Sequence, residues 1–284
     1  MRRLLLTFLT LSLTLCAAPA ARAADAAGPV SETSHAGNVT ATISWQAGTT
    51  DYGTPSITGL HLAIVRAGVT AFDGPLVIPG CGEPTCTPFV LAGAATAPRV
   101  LVRSIDTDAE PEVLVGAFSG GAHCCTSLVV FDHRSGAYHK STLALNDAGV
   151  RLVNLDHVGA VELLTRDDRF AYTFASYAAS WLPVQVLRFQ SGSFADVSRS
   201  FPFLLRRDAA QAWKYARQQC ASTEDFADSL GMYAGWADDQ YRLGKRAAAL
   251  RTLRAEQRRG CFKSPQAGAA RTFIARLDRF LLRL

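Results

Sequence analysis

From residue 38 to about residue 205 the apolar positions fall in short runs, alternating or continuous, that predict β-strands. The runs "NVTATISW", "LHLAIVRAG", "RVLVRSI", "EVLVGAF", "SLVVFDHRSGAYHKSTL", "VELLT", "FAYTFASY" and "VQVLRFQSGSFADVS" are rich in Val, Ile and Thr, and turns rich in Gly, Pro and Asp separate them. Two of them read as hairpins, "LVVFD-HRSG-AYHK" and "QVLRF-QSG-SFADV", each with Ser-Gly at the tip, where glycine accepts a positive φ without steric cost. After Pro202 the period changes. "RDAAQAWKYARQQ", "TEDFADSLGMYAGWADDQYRLG", "KRAAALRTLRAEQRR" and "AARTFIARLDRFLLRL" predict helices, with Phe273, Leu277, Phe280, Leu281 and Leu284 on one face of the last. Leu243, Ala247, Leu250 and Leu253 share a face of the third. The expected fold is α+β by segregation: an all-β multi-sheet domain over 38–205, partial β-propeller-like or sandwich-like, then a small α-helical domain over 206–284.

The N-terminus predicts export. Arg2 and Arg3 precede the uncharged run "LLLTFLTLSLTL", and Ala21-Arg22-Ala23 has the small-x-small pattern of a cleavage site after Ala23. Residues 1–23 therefore read as a signal peptide and 24–37 as a flexible segment. Leu15 before Cys16 is the wrong size for lipid attachment, so the expected location is periplasmic or extracellular, with no integral membrane anchor after cleavage. Loss of three leader arginines takes the net charge from +5 to +2. The remainder is asymmetric: residues 24–205 carry a net −6 and residues 206–284 a net +8. Such a split suits two units that attract each other or meet different partners. An exported chain without an aromatic-interleaved basic motif is a poor nucleic-acid binder, and a protein or an anionic envelope surface is the expected partner.

Six cysteines remain after the leader: Cys81, Cys86, Cys124, Cys125, Cys220 and Cys261. An even count in an oxidising compartment is first a disulfide count. "CGEPTC" favours a tight Cys81–Cys86 loop, and Cys220–Cys261 would join two points of the basic segment. Cys124 and Cys125 either bond each other or exchange partners with Cys81 and Cys86. In "FSGGAHCCT" the alternative to a structural disulfide is a soft-metal or redox site on His123, Cys124 and Cys125.

The β region also carries an internal repeat. "SIDTDAEPEVLV" (104–115) and "NLDHVGAVELLT" (154–165) align without a gap, with Asp106 matching Asp156 and Glu112 matching Glu162. A strand and a Ser-Gly hairpin follow both, giving repeats over about 100–150 and 151–200. These residues resemble FG-GAP/VCBS-type repeats of secreted bacterial proteins, which belong with the integrin-like β-propellers. The resemblance implies calcium held by loop carboxylates, here Asp106, Asp108 and Glu112, with Ser104 at the first ligand position. In the second loop it implies Asn154, Asp156 and Glu162, but Val158 stands where a ligand belongs. Calcium takes six to eight oxygens, and alternate positions of a turning loop can aim several at one centre. The simpler role for the same acids is capping turns through backbone N–H groups.

Other chemistry is scarce. There is no H-E-x-x-H, Walker loop or dinucleotide fingerprint, and "GAFSGG" lacks the central serine of a nucleophile elbow. "TRDDRF" (165–170) reads as a solvated turn. "YRLGKRAAALRTL" is similar to half of a tetratricopeptide-type helix pair. The resulting expectation is an exported, non-enzymatic binding or scaffold protein, and the alternative is an envelope hydrolase or redox protein built on His123–Cys125.

Overall fold

The computed structural model describes residues 28–83, 86–91, 97–108, 110–121, 124–224 and 226–284. The expected signal peptide (1–23), Cys16 and His123 lie outside the described residues. A first sheet is formed by β1 (Gly28–Ala36), β2 (Val39–Thr49), β3 (Pro55–Arg66) and β4 (Val69–Pro75), paired in sequence order. A second contains β5 (Thr87–Phe89), β6 (Val100–Arg103), β7 (Glu112–Phe118), β8 (Thr126–Arg134) and β9 (Ala137–Asn146). There β5 and β6 pair with successive halves of β7, so the sheet is four strands wide. The third runs through β10 (Arg151–Val153), β11 (Glu162–Arg166), β12 (Val184–Gln190) and β13 (Ser193–Asp196). Four helices follow: α1 (Pro202–Ala221), α2 (Leu230–Arg242), α3 (Arg246–Arg258) and α4 (Ala269–Leu281).

The middle sheet explains why "EVLVGAF" is apolar at nearly every position. Val113, Val115, Val129 and Phe131 face the first sheet, packing with Ile43, Trp45, Leu62 and Ile64. Leu114, Leu128 and Val130 point the opposite way, to Leu163, Leu187 and Phe189 of the third sheet. Successive side chains of a strand alternate faces, so a sheet covered on both sides needs a continuous apolar run. The helices bury their own core, centred on Tyr233, Leu253, Phe273 and Leu277. Both predicted hairpins form, and their tips place Ser135 and Ser191 at φ 52° and 48° ahead of glycines at 85° and 81°.

Four expectations change. Residues 28–36 are not a flexible lead but β1, paired with β2 over nine positions, and Thr33 and Thr42 share a hydroxyl hydrogen bond of 2.9 Å. Its polar alternation hid a half-buried edge strand. "FAYTFASY" is not a strand: short 3-10 turns at Asp168–Phe170 and Tyr177–Ala179 flank it, and Phe170 and Phe174 plug the helical core. Their rings meet Phe280 and Phe273 edge-on, at 5.1 and 5.7 Å. In α3 the buried apolar residues are Ala249 and Leu253, while Ala247 is exposed and precedes the packed stripe. On α4 the core face ends at Leu281, and Leu284 is exposed. Among the described residues no helix is long and apolar enough to cross a membrane.

Candidate functional site

The two acidic loops share their local hydrogen bonds. Glu112 Oε2 accepts from the Ile105 N–H at 2.7 Å, and Glu162 Oε2 accepts from the Leu155 N–H at 2.9 Å. Asp106 Oδ1 accepts from the Asp108 N–H at 2.9 Å, and Asp156 Oδ1 from the Val158 N–H at 3.0 Å. The turn-capping role is therefore real in both copies, and it positions the remaining carboxylate oxygens. In the first loop one oxygen each from Asp106, Asp108 and Glu112 lies within 4.8 Å of the others. Asp108 is exposed and Glu112 is buried at the start of β7. Burial, and then the charges of Asp106 and Asp108, push the Glu112 carboxyl up to about 8. Ser104 sits exposed at the loop entrance.

The second loop meets the same crowding with an internal cation. Arg188 on β12 pairs across the ladder with Glu162, and its Nη2 bonds both Asp156 Oδ2, at 2.9 Å, and Glu162 Oε1. Asn154 is exposed and takes no part in that bridge, and Val158 is 73% exposed. The position that answers Arg188 in the first copy is Asp132. Each lies three residues before its Ser-Gly tip, and Glu112 and Asp132 stand one position beyond the Val113–Phe131 pair that ends the β7–β8 register. Asp132 is 3% exposed; Arg134 Nε touches its Oδ2, while Oδ1 has no hydrogen-bond partner. Its charge is close enough to help raise the Asp106 carboxyl, which burial raises most. Where the second repeat carries a guanidinium, the first has a further carboxylate. The donor set of hard oxygens in the first loop fits calcium, with Asp106, Asp108 and Glu112 as the residues to hold it. The second loop does not fit, because Arg188 already occupies the centre. Arg188 was legible: aligning the hairpins on Ser-Gly exposes the Asp-for-Arg exchange.

The cysteines pair as Cys81–Cys86, Cys124–Cys125 and Cys220–Cys261. Of the alternatives left open for Cys124 and Cys125, the bond to each other is the one formed. Sulfurs in a disulfide are not thiolates, so neither serves as a soft-metal ligand in this state.

A second polar cluster lies where the helices meet the third sheet. Arg242 of α2 bonds Asp167 at 3.1 Å, Asp196 at 3.0 Å and Asp238 at 2.7 Å. "TRDDRF" is thus no solvated turn, since Asp167 is buried beneath this arginine. Nearby, Asp239 is fully buried against Asp208, and burial followed by the Asp208 and Asp238 charges pushes its carboxyl up to about 10. With its carboxyl raised that far, Asp239 holds its proton at physiological pH. A folded-state value far above the unfolded ~4 means that its stabilising contribution is complete below pH ~4 and is lost as pH rises through ten. Asp239→Asn is accordingly expected to gain on the wild type by about 1 kcal/mol per pH unit between pH 6 and 8. Urea unfolding at both values measures this, and a pH-independent difference contradicts it.

No family model matches the chain, and no solved structure matches it. A probable thylakoid lumen protein of Synechocystis sp. is 34% identical over 123 residues, which cover 39% of this chain and 35% of that protein. An uncharacterized protein of Sinorhizobium fredii is 33% identical over 110 residues, 38% of this chain and 17% of its own length. The chain therefore spans about a third or less of these relatives, and the similarity is to a segment of each.

Proposed function

We infer that this chain is an exported, non-enzymatic binding or scaffold protein of the FG-GAP type whose first acidic loop is ordered by calcium. The observation that carries the reading is the exchange of Arg188 for Asp132. One repeat neutralises its acidic centre from within, and the other gathers Asp106, Asp108 and Glu112 in front of Asp132. A bound divalent cation supplies positive charge at the three loop carboxylates and ties the loop to β7. Three disulfides and a relative described as a probable thylakoid lumen protein support a location beyond a membrane. Arg251 and Arg258 of α3, with Arg271 and Arg279 of α4, are exposed and make no ion pair among the described residues. That face supports an anionic protein or envelope surface as partner.

Calorimetric titration with calcium is expected to reveal one site on the wild-type chain and none on Asp106→Ala/Asp108→Ala. Asp132→Arg, which copies the second repeat, should melt higher than the wild type without calcium and no longer respond to it. Equal calcium heats from the wild type and the double variant overturn the reading.

A further inference from the structure

Where α1 crosses the outer face of the third sheet, the two elements leave a cleft of about 390 Å³. That size is within the range of small-molecule sites. Leu204, Arg207, Asp208 and Gln211 of α1 line it at spacings of three and four, so one helical stripe faces the sheet. A stripe that packs directly on a sheet is ordinarily apolar. Here it carries a cation, an anion and an amide, and of these Asp208 reaches the strands directly.

Arg151, Arg166 and Arg207 surround the cleft, and Leu164, Val184 and Leu204 give it apolar walls. The single carboxylate among the lining residues is already engaged. Asp208 Oδ1 accepts from Arg166 Nη1 at 2.7 Å, and its Oδ2 accepts from Trp181 Nε1 at 2.9 Å and from the Val184 N–H at 3.1 Å. Arg166 Nη1 also donates to the Leu182 carbonyl at 3.0 Å, and its guanidinium lies 5.9 Å from the Trp181 ring centre. One nitrogen thus carries both bonds, and the rest of a positioned guanidinium remains for a ligand. Arg151 and Arg207 are exposed and have no carboxylate partner among the described residues. Asp239 behind Asp208 is held neutral and adds no further negative charge. The cleft is left with a surplus of two positive charges beside a hydrocarbon wall.

We propose that this cleft binds a small phosphate monoester with an apolar body, its dianionic head held by Arg151, Arg166 and Arg207 and its body against Leu164, Val184 and Leu204. A phosphate monoester carries close to two negative charges near neutral pH, matching the surplus, and guanidinium groups bond its oxygens in pairs. The lining shares no residue with the carboxylate cluster of the first acidic loop, so calcium binding there can be tested separately.

Titration calorimetry with phenyl phosphate tests it on the full chain. The expected result is binding to the wild type that weakens at least tenfold in Arg151→Gln/Arg207→Gln. These exposed side chains hold no part of the fold, so the melting temperature of the variant should be unchanged. Inorganic phosphate, which lacks the body, and octanoate, which has one charge, should each bind at least tenfold more weakly than phenyl phosphate. Absence of phenyl phosphate binding, or equal affinity in the wild type and the double variant, overturns the site. Inorganic phosphate binding as tightly as phenyl phosphate removes the role of the apolar wall, and octanoate doing so removes the dianion; either overturns the assignment.

Discussion

Arg188→Ala lowers the stability of the chain by about 3 kcal/mol at neutral pH, at the low end for breaking a buried ion pair because Arg188 is partly solvated. The loss is not the value of two hydrogen bonds. Glu162 is fully buried at the start of β11, and its Oε1 has Arg188 as its charged partner. Truncation leaves that carboxylate facing Asp156 with no cation between them. Arg188→Lys should recover only part, because an ammonium is a point charge and lacks the planar fork. Urea midpoints for both variants decide the matter, and a loss below about 1 kcal/mol, the value of an exposed pair, contradicts the internal-cation role. The corresponding change in the first repeat has the opposite sign, since Asp132→Arg exchanges a buried carboxylate beside Asp106 for a cation.

Removing the Cys220–Cys261 bridge as Cys220→Ala/Cys261→Ala is expected to cost about 4 kcal/mol on the chain-entropy model of loop closure. The bond spans 41 residues, from the last turn of α1 to the segment after α3. Between its ends, α3 buries little apolar surface, chiefly Ala249 and Leu253, and its third buried residue is Glu256. Glu256 accepts from Arg217 at 2.7 Å and from Tyr233 Oη at 3.0 Å, so α3 is held more by polar bonds than by a core. Without the bridge, α3 and α4 should open before the sheets do. Hydrogen exchange would show protection lost there first, and uniform loss across the chain contradicts that order.

Strand-rich region, helical tail, the duplicated acidic turn and its loop acids were legible, because each depends on residues near one another along the chain. Period-two and period-3.6 patterns are local, and so is the Ser-Gly tip that aligns Asp132 with Arg188. The errors were equally physical. "FAYTFASY" has strand composition, but its phenylalanines serve the helical core, and no local rule says which core an aromatic residue will join. The polar alternation of residues 28–36 looked like a loose lead until β2 supplied its partner. Gly231 and Gly235 lie inside α2, where no local rule asks for glycine. They are required because a Cβ there would collide with the Ala179 carbonyl and with the Trp181 ring.

The sequence alone determined the change from strands to helices near Pro202, the duplicated acidic turn and the close Cys81–Cys86 pair, since hydrophobic period, turn chemistry and residue type act over a few positions. Tertiary structure alone decided which charges meet. Arg242 reaches Asp167 across 75 residues, Asp208 orients Arg166 across 42, and burial, then the Asp208 charge, raises the Asp239 carboxyl. Charge energies depend on distance through space and on burial, and neither quantity exists until the chain has folded.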